Sequence, residues 1–203
     1  YNFHIPQNPW APGMVAAMDR VGIGSVVCAP HVGIGPDPPL GNALAADASA
    51  RFPDRFKCYI TVSPRHPEKE MIDELERWHN TPGFVGIKIH PGTHNYPANG
   101  PNYRPMWKFA DENRLPVLIH TWEGSSTCGP LMFSAIGKEH PGATVVLGHS
   151  GGTSGGMDEA LTAANEQENL VLDLTSSWLP HGKLEELCAS VGADRILFGT
   201  DLP

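Results

Sequence analysis

Seven short apolar runs recur along the sequence at nearly even intervals. They are SVVCA (Ser25–Ala29), FKCYITV (Phe56–Val62), FVGIKI (Phe84–Ile89), LPVLI (Leu115–Ile119), TVVLG (Thr144–Gly148), LVLDL (Leu170–Leu174) and RILFGT (Arg195–Thr200). They begin roughly 25–31 residues apart, about the length of one βα unit. Between them lie helix-period stretches, such as Met71, Ile72, Leu75 and Trp78, or Leu184, Leu187, Cys188 and Val191. Ala43–Arg51 reads as a helix behind a long Pro/Gly loop, Pro30–Asn42. Unbroken apolar strands alternating with helices mean an α/β chain with a parallel sheet buried on both faces. The even spacing, with no G-x-G-x-x-G after the first run, favours a (β/α)8 TIM barrel over an open doubly wound sheet. Counting back one unit from Ser25 reaches or passes Tyr1, and Pro203 directly follows the last run. The expectation is one incomplete barrel domain over residues 1–203, lacking strand 1 and the C-terminal helices.

The net charge of −8 and the lack of a basic cluster argue against nucleic acid and anionic membranes as partners. No apolar run is long enough for a membrane span, and no signal-peptide pattern is visible. Cys28, Cys58, Cys128 and Cys188 form no CxxC pair, which suggests free thiols in a reducing, cytoplasmic setting. A small-molecule substrate is the expected partner, with a homodimer left open.

Three of the runs end on a polar side chain: LPVLI on His120, TVVLG on His149, and RILFGT on Asp201. In a parallel barrel the active site lies at the C-terminal ends of the strands, and alternate residues point inward. Alternation pairs His120 with Leu118, His149 with Leu147, Asp201 with Gly199 and Leu197, and His90 with Lys88 and Gly86. Two imidazoles and a carboxylate suit a divalent ion, zinc foremost, with a position left for water. Asp201 is placed to orient or deprotonate that water. As strand-end caps, the same side chains would only hydrogen-bond neighbouring backbone.

The segments GFVGIKIHP, LPVLIHTWEG, VVLGHSGG, LVLDLTSS and ILFGTDLP together resemble the amidohydrolase superfamily. The likeness is to its amidohydrolase-related branch of metal-dependent TIM-barrel hydrolases, which includes the aminocarboxymuconate semialdehyde decarboxylase group. It spans Val21–Pro203, and His-Ser-Gly-Gly and Gly-Thr-Asp are its most specific parts. The resemblance implies that His120 and Asp201 are metal ligands. It makes His149 a ligand in two-metal members, or an acid/base or substrate-polarising group in one-metal decarboxylases. Lys88 occupies the place of a lysine that some members carboxylate to bridge two metals; a lysine paired with a nearby carboxylate is the alternative. The family's His-x-His at the end of its first strand has no counterpart here, Asn2-Phe3-His4 being the nearest approach, and is expected upstream of Tyr1. His90, Arg65, Trp122 and Trp178 follow strand ends and are candidate substrate-binding residues. The leading expectation is a metal-dependent hydrolase in which metal-bound water attacks a carbonyl or ester carbon. The alternatives are a metal-dependent non-oxidative decarboxylase and a metal-free, non-catalytic barrel.

Overall fold

The computed structural model describes residues 8–176 and 178–201; Asn2, Phe3 and His4 lie outside them. Helix α1 (Ala11–Val21) leads to β1 (Val26–Cys28), the short helix α2 (His31–Ile34) and α3 (Pro38–Arg51). Then come β2 (Phe56–Thr61), α4 (Glu68–His79), β3 (Phe84–Ile89), the single turn α5 (Pro91–His94) and α6 (Arg104–Glu112). The chain continues through β4 (Pro116–His120), α7 (Met132–Glu139), β5 (Thr144–Gly148) and α8 (Ser154–Glu166). It closes with β6 (Leu170–Asp173), α9 (Lys183–Val191) and β7 (Ile196–Leu197).

The seven strands of the described residues are parallel and lie in the order β1-β2-β3-β4-β5-β6-β7. A doubly wound sheet would reverse its order at a switch point. Here it never reverses. With every crossover of one hand, each helix returns to the same face, and the other face curls inward as a partial barrel. The apolar core fixes which face is which. Ile87, Ile89, Val117, Ile119, Val145, Leu147, Leu170 and Leu172 pack with Leu75, Trp107, Phe133, Ala160 and Leu187 from the helices. Their sequence neighbours Lys88, Leu118, Val146 and Val171 therefore point to the concave face.

The segment expected as loop over Pro30–Asn42 instead holds α2 and the first turn of α3. Asp37 accepts a hydrogen bond from the Leu40 amide at 3.0 Å, and Pro38 and Pro39 follow it. Proline in a first helical turn loses no hydrogen bond and arrives with a helical φ, so this Pro-rich stretch starts a helix. Asn42, thus carried on α3, donates to the Thr61 carbonyl at 3.0 Å and accepts from the Thr61 amide at 2.8 Å. It takes the place of a neighbouring strand at the end of β2.

Candidate active site

Strand register sets the inner face in layers. Lys88, Leu118, Val146 and Val171 are lateral partners across β3, β4, β5 and β6. One layer nearer the C-terminal rim come His90, His120, Gly148 and Asp173, the last two partnering His120 and Leu197. The concave face thus turns from mostly apolar to polar toward the rim.

His120 stands in the middle of an aromatic stack. Its ring lies 4.0 Å from that of His90 with an interplanar angle of 12°, and 5.9 Å from Trp122 at 2°. Burial, reinforced by His90, His149 and Lys88, pushes the His120 pKa down to about 3. His120 is therefore neutral near pH 7, with a ring nitrogen free to accept. His90 is held down at about 4, first by burial and then by the charge of Lys88. Its Nδ1 accepts from the Thr93 amide at 3.1 Å, so His90 also caps α5. Trp122 sits against Gly152, where a Cβ would come within 2.5 Å of the indole.

His149 reaches the same place by a different route from that expected. Leu147 packs in the helix-side core, so simple alternation would turn His149 away from the concave face. The strand ends at Gly148, and His149 and Ser150 then adopt left-handed backbone, φ 65° and 45°. This turn swings the imidazole inward, to 4.8 Å between ring centres from His120. His149 Nδ1 lies 2.5 Å from the Thr175 carbonyl oxygen. A carbonyl only accepts, so Nδ1 carries the proton and Nε2 is the free nitrogen. That Nε2 is 3.9 Å from an oxygen of Asp201. Asp201 also departs from the expected strand geometry, since β7 ends at Leu197 and Asp201 itself has φ 51°.

Two residues outside the expected set hold His149 in place. The Asp173 carboxylate accepts from the Thr175 amide at 3.1 Å and from its hydroxyl at 2.8 Å. The fixed Thr175 carbonyl in turn aims His149. Asp173, inside the run LVLDL, is buried at 7% exposure. Thr175 carries no sequence signal because it acts through its backbone.

Lys88 lies one layer below the imidazoles. Burial lowers its pKa to about 8, against the attraction of Asp201 and Asp173. Arg65 and Trp178 are not brought to the cluster. Arg65 is exposed and donates to the His94 carbonyl at 2.9 Å. Trp178 is 60% exposed, with its backbone tied to Ser176.

The donors match a divalent ion in kind: neutral His120, the free Nε2 of His149 and the Asp201 carboxylate. They do not match it in number, because among the described residues no three His, Cys, Asp or Glu are placed to hold one ion together. The chain supplies at most part of such a site from these residues.

A family described as Amidohydrolase matches residues 33–203. Gamma-resorcylate decarboxylase from Rhodococcus jostii (strain RHA1) is 24% identical over 214 residues, covering 80% of this chain. The chain spans 64% of that protein's length. Among solved structures, 2,6-dihydroxybenzoate decarboxylase from Rhizobium superposes with a TM-score of 0.72 at 23% identity, covering 94% of this chain and 76% of its own. A dihydroxybenzoic acid decarboxylase from Polaromonas sp. JS666, with bound manganese and the inhibitor 2-nitroresorcinol, gives 0.67 at 22% identity, covering 94% and 74%. At these identities the two structures establish the TIM-barrel fold.

Proposed function

The chain belongs to the amidohydrolase family, and from that footing we propose that it carries the catalytic face of a non-oxidative decarboxylase acting on a hydroxylated aromatic acid. The observation that carries this reading is His149, with Nδ1 fixed by Thr175 and Nε2 turned toward Asp201. Decarboxylation of an aryl acid needs a proton delivered to the ring carbon that bears the carboxylate. The C–C bond then breaks, CO2 leaves, and the bonding pair restores the aromatic ring. His149 holds that proton at Nε2, and the Asp201 carboxylate stabilises the imidazolium that carries it. The stacked His90, His120 and Trp122 form an aromatic wall beside Nε2, suited to a flat ring.

His120 and Asp201 are the groups that would hold a divalent ion, whose positive charge would bind and orient substrate oxygens. Manganese is the ion to test first, because it is bound in the Polaromonas relative; zinc was the expectation from sequence. Hydrolysis, the leading expectation from sequence, is the weaker reading, since the relatives described above are decarboxylases.

The test is product analysis with 2,6-dihydroxybenzoate and a panel of esters and lactones, with Mn²⁺ or Zn²⁺ supplied. Release of CO2 and a phenol, with no ester cleavage, is the expected result. Ester or lactone cleavage without CO2 would return the assignment to hydrolysis. Elemental analysis should find less metal in His120→Ala and Asp201→Asn than in wild type.

A further inference from the structure

The lower layer of the concave face holds one charged group among apolar partners. Lys88 is flanked laterally by Leu118 on β4, with Val146 and Val171 beyond it on β5 and β6. Beneath this layer Tyr59 partners Gly86, which has no room for a side chain. A Cβ there would stand 2.6 Å from the Pro116 carbonyl and 3.2 Å from the Tyr59 ring. The layer beneath Lys88 is therefore tightly packed at Gly86.

Lys88 makes no hydrogen bond within the described part of the molecule, and no carboxylate there lies within ion-pairing distance of it. Asp173 is close enough to act on it electrostatically, but one oxygen of that carboxylate is already taken by Thr175. Asp201, the other carboxylate that acts on it, is 61% exposed in its side chain and turned toward His149. The side chain is half-buried. A cation so placed is short of partners, and an anionic ligand would supply them.

The geometry points to Lys88 as the anion anchor of the site, its ammonium taking the carboxylate of an aryl acid whose ring lies over Leu118 and against the His120 stack. This assignment rests on the decarboxylase reading for the class of acid, and it gives Lys88 a binding role distinct from metal bridging. It places the carboxylate one layer below His149, so that the ring carbon bearing it comes under Nε2.

The experiment is calorimetric titration of the Mn²⁺-loaded full chain with 2,6-dihydroxybenzoate and with resorcinol, its carboxyl-free counterpart. Wild type should prefer the acid. Lys88→Met should weaken acid binding about tenfold or more, the scale of one charge-assisted contact, and leave resorcinol within twofold. Lys88→Arg should keep most of the preference. Retained resorcinol binding also shows that the variant is folded. Equal loss for both ligands, unchanged acid affinity in Lys88→Met, or no preference in wild type would overturn the assignment. CO2 release is scored separately. Turnover with no effect of Lys88→Met removes the anchor and leaves the decarboxylase. A Lys88-dependent preference without CO2 release keeps the anchor and removes the decarboxylase.

Discussion

Nε2 of His149 faces a carboxylate oxygen of Asp201 across 3.9 Å, while Nδ1 of the same ring is spent on the Thr175 carbonyl. The pair is thus oriented by backbone, and one nitrogen alone is free for chemistry. His149→Ala should lower kcat by about 10²–10⁴, the usual worth of a positioned acid/base. Metal content by elemental analysis should be unchanged if His149 works on the substrate. Loss of metal together with activity would make it a ligand instead.

The aim of His149 depends on Asp173 through Thr175. Asp173→Ala frees the Thr175 amide and hydroxyl and lets the carbonyl drift. We expect kcat to fall about 10–100-fold with KM little changed, as for other residues that orient a reacting group. Asp173→Asn, which keeps an acceptor, should recover part of the rate. A change confined to melting temperature would reduce Asp173 to a structural role.

Acid should destabilise the metal-free chain well above the ordinary carboxylate range. His120 and His90 are held at about 3 and about 4, below the ordinary 6.5 of an unfolded imidazole. Between those limits the unfolded state binds more protons than the folded one, so stability rises with pH. It is fully present above about pH 6.5 and is lost as pH falls toward 4. Urea midpoints at pH 7, 5.5 and 4.5 measure this, and His120→Gln should flatten the slope. A midpoint independent of pH over that window would contradict the buried, neutral stack.

Gly152 combines a left-handed backbone, φ 75°, with direct contact to the Trp122 ring. Gly152→Ala must both strain the turn and push the indole off His120. A loss of about 1–3 kcal/mol in urea unfolding is expected. A change in tryptophan fluorescence should accompany it. Neutral behaviour would mean that the turn can relax without moving Trp122.

Strand alternation in the sequence accounts for where part of the candidate residues lie, and the rest have separate physical causes. Alternation along a strand places Lys88, His90 and His120 on the concave face, because β3 and β4 stay regular up to or next to these residues. The same rule fails for His149 and Asp201, which arrive by left-handed turns beyond the strand ends. For His149 a signal was present: the Gly151-Gly152 pair and the short Ser150 mark a tight turn rather than a continuing strand. Arg65 and Trp178 hydrogen-bond elsewhere, to His94 and Ser176, because a position after a strand end does not fix where a loop side chain goes. The Asn42 clasp on Thr61 was hidden by reading Pro38 and Pro39 as loop, and Thr175 acts by its carbonyl, which every residue possesses.

Among the described residues, β7 joins the sheet through two residues, Ile196 and Leu197, with one further bond from the Leu174 amide to the Leu197 carbonyl at 2.9 Å. Asp201 hangs four residues beyond that short ladder. Local opening there costs far less than global unfolding, because so few backbone bonds must break. The amide of Leu174 should therefore exchange with deuterium long before those of Val117, Ile119 or Val145 in the central strands. Each such opening withdraws the Asp201 carboxylate from His149 while the central strands stay paired, so the acid/base pair of the proposed reaction is less firmly held than the His90–His120 stack on β3 and β4.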